Sequence, residues 1–306
     1  MVRKVHSLQQ HKNIASVIDF RRKNGDAKEV LKDRQFFVGI GAQKAGTTWL
    51  SDYLKKHPQV FHSPVKELNF FNQLVNNPLR QKTIDFQTRR IGEILLDRGK
   101  AKYPPRIEAY QRVIDLLEIG RFREDLEAYL DYFAARIGNE PLFGEISPSY
   151  SHLTIAGFEK IREAFPLVKI IFLMRDPVSR MGSHIRHIQR HKELDVSKTL
   201  HKLTIKDSLY FRCDYGGTLD KLDEVFGEDN YHIEFYETLF SVAAIKRLCK
   251  FLNIEYVKPD LSKRVNVSFT RPISSEFKEV MREKLEPIYE DMRNRFGADL
   301  PEKWNR

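Results

Sequence analysis

The chain has 306 residues, 41% of them hydrophobic and 31% charged, enough to bury one large α/β core or two smaller ones. No apolar run approaches the roughly 18 residues of a membrane-spanning helix, and the two cysteines, Cys213 and Cys249, make neither a metal pattern nor a disulfide framework. The net charge of +10 fits an acidic small ligand or a polyanionic acceptor; the basic residues are dispersed, with no like-charge block long enough to read as a nucleic-acid tail.

Residues 1–34 are polar and charged and read as an N-terminal extension carrying one short helix. Their basic start has no long apolar segment behind it, so no secretory leader is expected and the expected compartment is the cytoplasm. From residue 35 to 306 one domain is expected. It opens on a strand over 35–41, apolar throughout, which suits burial on both faces. A helix over about 46–56 ends at His57-Pro58, and residues 59–62 make a short strand. Residues 72–140 read as a helical insertion on the acceptor side, a cap over the sheet edge. In it Tyr110, Val113, Ile114, Leu116 and Leu117 recur at helical spacing, as do Phe122, Leu126, Tyr129, Leu130 and Phe133. Strands follow over 142–146, 168–174 and 231–235, and helices over 154–165, 237–252 and 274–296. Asp176 can cap a helix whose first turn takes Pro177. Strands alternating with helices predict a central, mainly parallel sheet flanked by helices.

In such sheets ligands sit beyond the carboxyl ends of the strands. Two strand-to-helix junctions there carry chemistry. The first is Gln43-Lys44-Ala45-Gly46-Thr47-Thr48-Trp49-Leu50. Backbone N–H groups at a helix start favour an anion, Lys44 adds charge, Gly46 permits close approach and two threonines add donors. A nucleoside-triphosphate loop puts Lys directly after its second Gly, whereas Thr47 follows Gly46 here and Lys44 precedes it. The second junction is Arg175-Asp176-Pro177 with Ser179, Arg180 and Ser183 on the helix behind it; a guanidinium and a hydroxyl make a phosphate clamp.

Together, in this order, the two segments resemble the sulfotransferases that use 3′-phosphoadenylyl sulfate (PAPS). The resemblance implies a single domain akin to nucleotide kinases with a P-loop-like turn, PAPS as sulfuryl donor, 3′,5′-adenosine bisphosphate (PAP) as product, and no metal. By position, Lys44 implies a contact to the 5′-phosphosulfate and stabilisation of the leaving phosphate. Ala45, Gly46, Thr47 and Thr48 line the 5′-phosphate loop, and Trp49 stacks on adenine. Arg175 and Ser183 bind the 3′-phosphate, Tyr215 lies near the adenine, and Lys263 and Arg264 belong to a late basic loop closing over the 3′-phosphate. Pro64-Val65-Lys66-Glu67-Leu68-Asn69-Phe70-Phe71 is similar to the Lys-Glu-x-x-Phe-Phe segment of carbohydrate and protein-tyrosine sulfotransferases, which implies Glu67 as general base with Lys66 near the sulfate. Gly144-Glu145-Ile146-Ser147-Pro148-Ser149-Tyr150 resembles an acceptor-side segment, with Glu145 expected to contact substrate. The expected acceptor is a hydroxyl of a small molecule, glycolipid or carbohydrate. A P-loop kinase or NTPase and a non-catalytic polyanion binder are the competing readings; the first lacks the Gly-Lys-Thr/Ser order, and the second leaves Glu67 and the paired loops unexplained.

Overall fold

The computed structural model describes residues 26–74, 114–115, 125–189, 208–262 and 274–305. Five strands form one parallel sheet: β1 (Gln35–Gly41), β2 (Val60–His62), β3 (Leu142–Ile146), β4 (Lys169–Met174) and β5 (Tyr231–Phe235), in the order β2-β3-β1-β4-β5. Every residue of β3, and all but the first of β1 and β4, is buried, which is why these segments read as unbroken apolar runs. The chain steps outward from β1 to β2 on one side and from β4 to β5 on the other. The strand order therefore reverses between β1 and β4, and the crevice beyond their carboxyl ends is where this topology places a ligand.

Around the sheet lie α1 (Ala27–Leu31), α2 (Thr47–Leu54), α3 (Phe71–Leu74), α4 (Leu126–Ala134), α5 (Ile155–Ala164), α6 (Pro177–Gln189), α7 (Ser208–Phe211), α8 (Tyr215–Phe226), α9 (Tyr236–Leu239), α10 (Val242–Phe251) and α11 (Ser275–Phe296). Alternation along β1 decides which of its neighbours meet each face. Phe36, Phe143 and Phe61 stand side by side in register on one face, and Phe133 of α4 meets all three at centroid distances of 5.9, 5.3 and 6.2 Å. On the other face His62 lies 5.8 Å from Phe37 and bonds to Ser51 of α2 at 3.0 Å. Gly144 has no room for a side chain, because a Cβ there would come within 1.9 Å of the Phe37 carbonyl oxygen.

Three local features differ from the sequence expectation. Helix α4, inside the segment expected to cap the sheet edge, lies across the face of β2, β3 and β1. Its Tyr129, Leu130 and Phe133 form a buried stripe that the aromatic strand positions receive. The helix expected over 237–252 is two helices, because the Ser241 hydroxyl donates to the Thr238 carbonyl and accepts from the Ala244 amide, starting a new helix. Helix α8 starts at Asp214, whose carboxylate accepts from the Gly217 amide at 3.0 Å. Within the N-terminal extension, α1 buries Ala27 and Leu31 against α4 and so packs on the body of the domain. No helix among the described residues is long and apolar enough to cross a membrane.

Candidate active site

The loop from β1 to α2 ends at a helix start with no side-chain cap. Gly46 is the N-cap of α2 at φ 94°, and a Cβ there would meet Leu239 Cδ2 at 2.8 Å. Having no side chain, it makes no capping bond, so the first amides of α2 keep their donors for a ligand. Lys44 also takes the left-handed conformation, at φ 71°. Ala45 is fully buried, Thr47 is buried, and the Thr48 hydroxyl accepts from Lys66 Nζ. Trp49 is buried; its ring lies parallel to Tyr53 with centroids 6.1 Å apart and meets Phe240 edge-on at 5.2 Å.

The loop from β4 to α6 meets the first loop directly. Arg175 Nη1 donates to the Lys44 carbonyl at 2.9 Å, and its guanidinium lies 4.1 Å from the Tyr236 ring centroid. Its Nε is buried with no hydrogen-bond partner among the described residues. An orphaned guanidinium N–H beside a row of helix amides fits a phosphate oxygen. Asp176 starts α6 by accepting from the Ser179 amide at 2.8 Å, and Ser183 lies buried further along the same helix. Tyr215 is 1% exposed and donates to the Arg175 carbonyl at 2.7 Å, so it buttresses the turn from below. Three supports come from segments distant in sequence: Tyr289 donates to Asp176 at 2.5 Å, and Glu237 accepts from the Asp176 amide at 3.1 Å and from Trp304 Nε1 at 3.2 Å. No local motif announces Tyr236, Glu237, Tyr289 or Trp304. Lys263 and Arg264 lie outside the described residues.

The segment after β2 brings a carboxylate to the same end of the sheet. Lys66 reaches Thr48, and Glu67 lies 3.8 Å from Lys66 with its side chain 33% exposed. Glu67 and Asn69 have left-handed backbones, at φ 62° and 56°. What holds them is Glu145. Its Oε1 accepts from Tyr129 at 3.0 Å and Tyr150 at 2.8 Å; its Oε2 accepts from Ser147 at 2.6 Å and from the Leu68 amide at 3.1 Å. Four donors occupy the carboxylate's four lone-pair sites. Burial pushes its pKa up while these bonds, Ser147's first, pull it down. Glu145 was expected to touch the acceptor; it is 0% exposed and lies beneath the loop, its oxygens already used. The stitching continues through the Asn69 amide to Ser147 at 3.0 Å, Ser149 to Asn69 at 2.5 Å and the Phe71 amide to Tyr150 at 3.3 Å.

Two strand-to-helix turns, tied by the Arg175–Lys44 bond, lie at the switch point of a parallel sheet in a P-loop-kinase-like fold, with Lys66 and Glu67 on the loop that reaches Thr48. Residues 36–258 match the sulfotransferase family, and the chain belongs to that family. It is 27% identical over 163 residues to the membrane-associated sulfotransferase kil1 of Dictyostelium discoideum. That match takes in 51% of this chain and 24% of the relative, so the chain spans about a quarter of that protein's length. The crystal structure of a sulfotransferase from Alicyclobacillus acidocaldarius shares the fold, with a TM-score of 0.59 at 20% identity over 89% of this chain and 99% of that one.

Proposed function

We propose that this sulfotransferase takes its sulfuryl group from PAPS and passes it to an acceptor hydroxyl, with Glu67 as general base. The observation that carries the donor assignment is the Arg175–Lys44 hydrogen bond, which ties the two phosphate-type turns into one site. Lys44 and the amides of Gly46, Thr47 and Thr48 meet the 5′-phosphosulfate, and Arg175 with Ser183 meets the 3′-phosphate. Trp49 offers an aromatic surface for adenine, and Tyr215 acts through Arg175. Lys263 and Arg264 remain proposed closing residues on sequence grounds alone.

In the reaction, Glu67 accepts the proton of the acceptor hydroxyl as its oxygen bonds to sulfur. The bond from sulfur to the bridging oxygen breaks, and the electron pair leaves with the 5′-phosphate of PAP. Lys44 faces the negative charge that grows there, and Lys66, held by Thr48, faces the sulfuryl oxygens. Positioning and electrostatic stabilisation carry most of such a transfer, and a placed base adds roughly 10²–10⁴-fold. A cytoplasmic location is part of the same proposal. The test is radiolabelled PAPS offered with phenols, amino sugars, glycolipids and polysaccharides. Label appearing on one class supports the reading; failure on all of them, with PAP still bound, counts against it.

A further inference from the structure

Arg175 reaches the Lys44 carbonyl with one nitrogen, and a residue just after β5 aims the rest of its guanidinium. Tyr236 opens α9 directly behind that strand, and its ring touches both turns of the site. A Cβ on Gly46 would lie 3.3 Å from Tyr236 Cδ2, so one ring edge packs against the loop glycine. The Arg175 guanidinium carbon lies over the ring face, 4.1 Å from its centroid. Phe240 meets the same ring at 84° with centroids 5.0 Å apart, and in turn meets Trp49 of α2 at 5.2 Å. The next residue, Glu237, accepts from the Asp176 amide at 3.1 Å and from Trp304 Nε1 at 3.2 Å, which pins α9 to the second turn.

The way the guanidinium is held decides what it can bind. A carboxylate partner would use the in-plane N–H donors and offset the positive charge, whereas an aromatic face holds the cation and takes up neither. Arg175 spends Nη1 on the Lys44 carbonyl, and its buried Nε keeps a donor with no hydrogen-bond partner among the described residues. Its main chain is fixed separately, by Tyr215 on its carbonyl and by Glu237 on the following amide. Tyr236 therefore bears on the side chain alone. With Gly46 at its edge and Arg175 on its face, the ring also acts as a spacer between the helix start of α2 and the guanidinium. In the PAPS reading those two points meet the 5′- and 3′-phosphates, whose separation the ribose sets.

We infer that Tyr236 is a positioning residue that makes the donor site selective for a 3′-phosphate: it holds Arg175 at the spacing from the Gly46 turn that a 3′,5′-bisphosphate needs, and it leaves the guanidinium donors free. The inference rests on the PAPS reading and adds to it the residue through which Arg175 is aimed.

The experiment is calorimetric titration of the full chain with PAP, adenosine 2′,5′-bisphosphate and adenosine 5′-phosphate. Wild type should favour PAP over both. Tyr236→Leu should weaken PAP by roughly tenfold, as loss of a partly desolvated cation–π contact implies, and adenosine 5′-phosphate by less than about threefold. The preference for PAP over the 2′,5′-isomer should narrow with it. Tyr236→Phe keeps the ring and should keep both preferences. Added to Arg175→Ala, Tyr236→Leu should cost PAP no more than about a further twofold, because its effect runs through the missing guanidinium. Thermal unfolding without ligand shows that each variant is folded, and Tyr236→Met replaces the leucine variant if that one is not. Unchanged PAP affinity or equal losses of PAP and adenosine 5′-phosphate in Tyr236→Leu, lost preference in Tyr236→Phe, or additive losses in the double variant would overturn the inference. Wild type binding PAP no better than adenosine 5′-phosphate would instead overturn the 3′-phosphate reading beneath it.

Discussion

Glu67 occupies a backbone conformation that costs a non-glycine residue about 1–2 kcal/mol, and the loop keeps it there with bonds on either side. Among the described residues, Lys66 Nζ approaches the Glu67 carboxylate at 3.8 Å. Glu67→Gln preserves size and removes the carboxylate proposed as base. We expect PAP affinity nearly unchanged and turnover lowered by roughly 10²-fold or more; full turnover would remove Glu67 from that role. Arg175 has a different signature, since its buried Nε is the donor left over after the bond to Lys44. Calorimetric titration of Arg175→Ala should show PAP weakened by roughly 10²-fold and adenosine 5′-phosphate much less. Equal losses would mean that Arg175 does not read the 3′-phosphate.

The element that turns strand ends into a site is the 67–72 segment, and it is held by the β3 junction. Glu145→Gln puts an amide N–H₂ where two of the four donors now point. Chemical denaturation should show a loss of about 1–3 kcal/mol, and turnover should fall more than PAP affinity does. Unchanged stability would mean that these bonds do not hold the loop. Strand β2 carries a second test. The ring of His62 is neutral: Nδ1 donates to the Ser63 carbonyl at 2.8 Å, Nε2 accepts from Ser51 at 3.0 Å, and burial lowers its pKa to about 3. Because the folded pKa lies below the unfolded value, the unfolded chain binds the extra proton between about pH 6.5 and 3. Stability therefore falls on acidification through that window, by about 1.4 kcal/mol per pH unit for this one group. Denaturant unfolding at pH 7 and pH 5 should show a drop about 2 kcal/mol smaller in His62→Asn than in wild type. Equal drops would show that His62 titrates normally.

At the scale of the molecule, what could be read in advance follows from how far each signal reaches along the chain. Strands β1 and β4 announce themselves because burial on both faces demands continuous apolar runs. The two phosphate-type turns are legible because their donors lie within a few residues of one glycine or one arginine. The supports are not: Tyr236 beneath Arg175, Tyr289 and Glu237 on Asp176, and Trp304 on Glu237 become neighbours only through the sheet and α11. Glu145 shows the same limit, since a glutamate in an acceptor-like motif reads as exposed until Tyr129 of α4 is seen to cover it. The central claim is the donor. Thermal unfolding of the full chain should rise by several degrees in PAP, where a hundredfold excess over Kd contributes about 2.7 kcal/mol, and should not move in ATP with Mg²⁺. A rise in ATP with Mg²⁺ and none in PAP would contradict it.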